Sequence, residues 1–140
     1  MKIASTIFAF LFGLSTVAFP QTKPKPAEPV KSVENEKFVF LNNGATVGMI
    51  IKSVLKADKQ RLKLTDQQLP KAKEIITTAV VKYNEGVKQL KKSGMNQGKL
   101  RTLAIAVETD KVRDYKTILT PEQYTILVTQ HKKMYPEAKV

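Results

Sequence analysis

The sequence predicts an all-α domain of about four helices behind a leader and a linker, and three observations carry that expectation. Apolar residues recur at spacings of three and four from Val47 to Tyr135, the period of helices with one buried face. Two near-copies of one pattern, Leu64-Thr65-Asp66-Gln67-Gln68 and Leu119-Thr120-Pro121-Glu122-Gln123, stand where such stretches begin. In each, the threonine hydroxyl can accept an unpaired backbone N–H of the first turn. The glutamine three residues on reaches back to the threonine N–H, which completes a reciprocal capping box. Finally, no βαβ alternation occurs, and the apolar patch Phe38-Val39-Phe40-Leu41 has no second strand candidate to pair with.

The chain begins with Lys2, an uncharged apolar run from Ile3 to Leu14, and small residues at Ser15, Thr16 and Ala18. That order of charge, apolar stretch and small residues is the layout of a secretory signal, with the cut placed after Ala18. The run from Ile3 to Phe19 is shorter than the roughly 20 residues a spanning helix needs. Residues 1–18 are therefore read as a cleaved signal peptide and the remainder as a soluble, periplasmic protein. From Pro20 to about Lys37, Pro20, Pro24, Pro26 and Pro29 alternate with Lys23, Lys25, Glu28 and Lys31. Such a composition cannot bury a core and favours extended, solvated backbone. Residues 19–43 are thus a disordered linker ending in the apolar lead-in, which stops at the turn signal Asn42-Asn43-Gly44. Residues 44–136 make the helical domain and 137–140 a tail.

The first helix carries Val47, Ile50, Ile51, Val54 and Leu55 on one face and runs to about Gln60. The second opens at Thr65 and places Leu69, Ala72, Ile76, Val80, Tyr83, Val87 and Leu90 in register, with Ile75 and Ala79 widening the stripe. Pro70 comes late for a first-turn proline and delays or distorts the start. Gly86 in the interior costs about 1 kcal/mol relative to alanine. After Ser93-Gly94-Met95-Asn96-Gln97-Gly98, a third helix extends from about Lys99 to Ile118, its register interrupted by Lys111 and Asp114. The fourth starts at Thr120 with Pro121 in the first helical position, where a missing N–H loses nothing. Tyr124, Leu127, Val128, His131 and Met134 or Tyr135 form its inner face, and Pro136 ends it.

Chemistry is sparse. There is no cysteine and a single histidine, His131, so thiolate sites are excluded and His131 reads as a half-buried inner-face residue rather than a metal ligand. Glu108, Asp110 and Asp114 cluster on the third helix but are interleaved with Lys111 and Arg113, which reads as a solvated, salt-bridged face rather than a pair of catalytic carboxyls. No Gly-x-Ser-x-Gly elbow occurs, and Gly44-Ala45-Thr46-Val47-Gly48 lacks the lysine of a phosphate loop. The chain is read as no enzyme, with no cofactor and no metal.

Against 12 acidic residues stand 24 lysines and arginines, a formal net charge of +12. Such a field favours acidic partners, whether an anionic membrane surface or negatively charged polypeptides, while export leaves nucleic acid out of reach. Lys82, Lys88, Lys91, Lys92, Lys99 and Arg101 crowd the second helix and the turn after it. They form either a solubilising surface or a candidate anion- or client-binding surface.

The paired motif, carried by Leu64, Thr65 and Gln68 and again by Leu119, Thr120 and Gln123, resembles the Spy/CpxP-type periplasmic family over about residues 62–135. The resemblance implies a bent helical hairpin that pairs into a cradle-shaped homodimer and holds unfolded or envelope proteins without ATP. In this reading the motif residues serve helix starts and packing, and the basic, apolar surface meets the client. The alternatives are a regulatory accessory protein docking on a membrane stress sensor, or a basic protein lying on anionic membrane. The His-rich tails of some relatives are missing here, so metal sensing is not carried over. Pro70, the proline-rich leader and the extra early helix depart from the compact pattern of the family.

Overall fold

The computed structural model describes residues 33–40 and 43–140; the expected signal peptide and most of the expected linker lie outside the described residues. Among the described residues four helices build the domain: α1 (Val47–Leu62), α2 (Leu69–Ser93), α3 (Gln97–Tyr115) and α4 (Pro121–Met134). Among the described residues there is no strand, only an isolated antiparallel bridge between Lys37 and Thr46. The fold is all-α, and α2 is its centre, packed along both α1 and α3, while α4 closes the side against α3 and α1. No helix among the described residues is long and apolar enough to cross a membrane.

Local chemistry accounts for the helix ends. Thr46 caps α1, its hydroxyl accepting the Met49 N–H at 3.3 Å, and α1 closes where Lys63 turns left-handed at φ 53°. There the Leu64 N–H donates to the Lys59 carbonyl at 3.1 Å, the closure of a Schellman motif. Gly94 (φ 107°) ends α2, a backbone conformation glycine adopts without a Cβ penalty. Asn96 then starts α3 by accepting the Lys99 N–H at 2.9 Å. The last turn of α3 tightens, with Thr117 and Ile118 donating to Asp114 and Tyr115 three residues back, so α3 ends three residues before the expected Ile118.

Gly86 has a tertiary reason that its helical cost conceals. A Cβ there would lie 2.6 Å from Leu103 Cδ1, so the Leu103 side chain of α3 packs directly onto the glycine and would have to shift for any larger residue. The core consists of the inner faces of all four helices: Val47, Ile51 and Val54 of α1, Ile76, Val80, Tyr83 and Val87 of α2, Leu100, Val107 and Val112 of α3, and Leu127 of α4.

Residues 33–40 join this core, so the end of the expected linker packs on the helices. Phe38 is buried and stacks on Tyr83, with ring centroids 6.1 Å apart, and Phe40 meets the same ring edge-on at 6.0 Å. The backbone on either side of Phe38 is held by one side chain of α2. Asn84 Oδ1 accepts the Val39 N–H at 2.9 Å, and Asn84 Nδ2 donates to the Lys37 carbonyl at 3.1 Å.

Candidate functional site

Both motif copies form their capping boxes. Gln68 N–H donates to Thr65 Oγ1 at 3.3 Å and Thr65 N–H to Gln68 Oε1 at 3.0 Å; the matching distances for Gln123 and Thr120 are 3.2 and 2.9 Å. The copies differ in how the helix departs from the box. At the second, Pro121 occupies the first helical position and α4 starts at once. At the first, Pro70 supplies no N–H to the Asp66 carbonyl, residues 66–68 form a turn, and regular helix begins at Leu69. The second helix therefore starts four residues after Thr65 rather than beside it.

The two boxes also grip each other. Gln68 Nε2 donates to Gln123 Oε1 at 2.8 Å, and Gln123 Nε2 donates to Gln68 Oε1 at 3.1 Å, a cyclic amide pair between residues 55 apart in sequence. The second N–H of each amide goes to the backbone just before the opposite motif. Gln68 donates to the Ile118 carbonyl at 2.9 Å, and Gln123 to the Leu62 carbonyl at 3.0 Å and the Lys63 carbonyl at 3.3 Å. Each glutamine thus spends both donors and its acceptor, and the arrangement is nearly two-fold symmetric. Leu64 is buried and Leu119 half-buried. The motif is a clasp that ties the α1–α2 junction to the α3–α4 junction.

The basic cluster is less open than its sequence suggests. Lys88 is ion-paired with Glu36 and Glu85, and these bonds raise its pKa. Lys91 Nζ donates to the Val39 carbonyl at 2.8 Å, Lys99 Nζ to the Gly94 carbonyl at 3.3 Å, and Arg101 pairs with Glu137 at 2.7 Å. Lys82 is half-buried near Asp110 and Asp114, and burial lowers its pKa against the pull of those two carboxylates. Lys92 is exposed and, alone of the six, has neither an ion pair nor a side-chain hydrogen bond among the described residues. Beside the cluster, at the turn end of the α2–α3 hairpin, lies a groove of about 590 Å³. Gly86, Leu90, Leu103 and Ala106 give it an apolar floor, and Lys99 and Asn96 also line it. Met95 in the adjoining turn is exposed.

The third feature overturns an expectation. Far from forming a solvated face, Glu108 and Lys111 are fully buried and Asp110 nearly so, and His131 is buried rather than half-buried. Lys111 meets Asp58 of α1, itself 0% exposed, whereas Asp110 pairs with the exposed Arg113 at 2.9 Å. Asp58 Oδ1 accepts from Arg61 Nη2 at 2.6 Å, and Asp58 Oδ2 accepts from the Tyr115 hydroxyl at 2.8 Å and lies 3.1 Å from Lys111 Nζ. Among the described residues neither carboxyl oxygen of Glu108 has a hydrogen-bond partner, and neither does His131 Nδ1, although His131 Nε2 lies 3.4 Å from the Thr109 hydroxyl.

Burial drives Glu108 well above the usual carboxylate range, with Lys111 pulling it part of the way back. Burial likewise lowers Lys111 while Asp58 and Glu108 raise it. His131 falls to about 4 through burial and the nearby Lys111 charge. Uncompensated buried charge is costly, so this cluster conditions the stability of the α1–α3–α4 contact. No group of three His, Asp or Glu among the described residues is placed to hold a metal ion.

A signal for the cluster is present in the helical register. Asp58 continues the series Val47, Ile51, Val54, and Lys111 continues Leu100, Ala104, Val107. Opposite charges on the inner lines of two helices of one small domain point to a buried pair. Comparison of the chain with family models, with characterised proteins and with solved structures finds no match.

Proposed function

We propose that this chain is an exported, non-enzymatic binding protein of the cell envelope that holds unfolded or envelope polypeptides without ATP. The observation that carries the reading is the groove at the turn end of the hairpin, where Lys99 lines an apolar floor of Leu90, Leu103 and Ala106 and the chain between α2 and α3 exposes Met95, three residues after the exposed Lys92 of α2. A net charge of +12 draws acidic chains toward it, and apolar contact then retains what electrostatics delivers. Paired Leu-Thr-x-x-Gln motifs and the secretory leader support the same reading, through the family the chain resembles.

The test is light scattering of a chemically denatured client diluted into buffer at low salt. Equimolar protein should suppress aggregation, and Lys92→Glu together with Met95→Asp, both at exposed positions, should weaken the effect while leaving the helical content intact. Suppression should also decline as salt screens the charge. No suppression at several-fold excess overturns the proposal. Recovery of one stoichiometric membrane partner from envelope extracts would instead favour a regulatory subunit.

A further inference from the structure

We infer that the face of α2 around Asn84 is a receptor for polypeptide segments carrying an acidic residue and two aromatics at alternate positions, and that residues 33–40 occupy it in cis. The inference rests on the chain being a polypeptide binder, but not on the α2–α3 groove.

Asparagine is a poor choice for a buried helix interior, because its amide competes with the backbone for hydrogen bonds. Asn84 is buried to 1% exposure in α2, and both ends of its amide are spent on the main chain of residues 37–39. One side chain that accepts from a peptide N–H and donates to a peptide carbonyl imitates the edge of a sheet. Such a grip is indifferent to the side chains of the segment it holds. Lys91 adds a third backbone contact at the Val39 carbonyl.

Selectivity comes from the alternate residues. Glu36 meets Lys88, while Phe38 and Phe40 meet the two aspects of the Tyr83 ring. Lys73, about three turns before Asn84 on α2, pairs with Glu34 at 3.1 Å. The cations and the aromatic platform all belong to α2, so they remain in place for any segment of the same pattern. What the cis segment has in addition is its tie to the start of α1, through Phe38 N–H to the Ala45 carbonyl and Val47 N–H to the Glu36 carbonyl, each at 2.8 Å. An incoming peptide must displace those two bonds. The cis segment therefore acts as a competitor that sets a threshold for clients, and the apparent affinity falls by the fraction of chains whose site is open.

The experiment uses the full chain and a fluorescein-labelled peptide of residues 33–40, read by fluorescence anisotropy beside a permuted peptide of the same composition. Glu36→Lys, which turns the Lys88 pair into a repulsion, should bind the native-order peptide at least about tenfold more tightly than the unaltered chain. Adding Asn84→Leu should abolish that gain, and the permuted peptide should not bind. A folded Glu36→Lys chain that gains no affinity, or that binds both peptides alike, overturns the inference. Amide hydrogen exchange on the unaltered chain keeps the question decidable if the variant does not fold. The Val39 N–H should then exchange ahead of Val80 and Val87 in α2, and equal protection overturns the inference. Intact aggregation suppression alongside any of these failures would remove the Asn84 receptor and leave the groove reading standing.

Discussion

The glutamine clasp and the interior charge cluster both join segments distant in sequence through polar side chains, yet they are opposite solutions to the same problem. The clasp is neutral and complete: each amide of Gln68 and Gln123 satisfies its own helix start, its counterpart, and a carbonyl of the opposite junction. The cluster is charged and incomplete. Asp58 collects Arg61, Lys111 and Tyr115, whereas Glu108, among the described residues, keeps both oxygens without a hydrogen-bond partner one turn away from Lys111. A satisfied neutral network contributes stability with little dependence on conditions. A buried, partly paired ionic one makes stability depend on pH and on every member being present.

The contrast breaks most visibly at Asp58. Asp58→Ala leaves the Lys111 ammonium without its nearest counter-ion and the Tyr115 hydroxyl without its acceptor, and urea unfolding should report a loss of about 3–5 kcal/mol. The double change with Lys111→Met should recover much of it, since removing both charges of a buried pair is far cheaper than orphaning one. A single-mutant loss below about 1 kcal/mol would mean that the cluster is solvated after all.

The titration of His131 should follow in size. Its pKa in the fold lies near 4, below the ordinary 6.5, so the unfolded chain takes up the proton first as pH falls. The stabilisation is complete above about pH 6.5 and lost as pH falls toward 4, a change of about 3 kcal/mol for a shift of this size. Glu108 works in the reverse sense. Its pKa is raised, so its stabilisation is present below the ordinary carboxylate range and lost as pH rises through the folded value. His131→Asn should therefore flatten the acid limb of stability against pH, and Glu108→Gln the decline that sets in as pH rises above the ordinary carboxylate range. Unchanged limbs in both variants would show that neither group titrates with folding.

The clasp should give the smallest single effects and the clearest coupling. Gln68→Ala and Gln123→Ala each remove a cap and strand the partner amide, at about 1–3 kcal/mol apiece. Because each change already removes the shared pair, the double variant should cost less than the sum by about 1 kcal/mol or more. Strict additivity would reduce the clasp to two independent caps.

These two regions also differ in how legible they are in the sequence. Thr65, Gln68, Thr120 and Gln123 announce their capping boxes because a box closes within one turn, a distance that sequence spacing controls. That the boxes face each other is not legible, since residues 55 apart meet only after α2 and α3 have folded back. Glu108, Asp110 and Lys111 read as a solvated face because charges on helices usually meet water, and that tendency outweighs the register placing Asp58 and Lys111 inward. Gly86 shows only its helical cost in the sequence, because the reason for it is Leu103 on the neighbouring helix.

The amino-acid order by itself determined everything that acts over one or two helical turns. The all-α class, the four helical segments, their caps and the proline-delayed start of α2 come from the 3.6-residue period and from backbone groups that need nearby partners. Tertiary structure alone decided which polar groups lost their water: the embrace of the two glutamines, the burial of Glu108 and Lys111, and the capture of residues 37–39 by Asn84. Desolvation depends on what a distant segment covers, and a linear pattern marks at most which residues face inward, not what meets them once the chain has closed on itself.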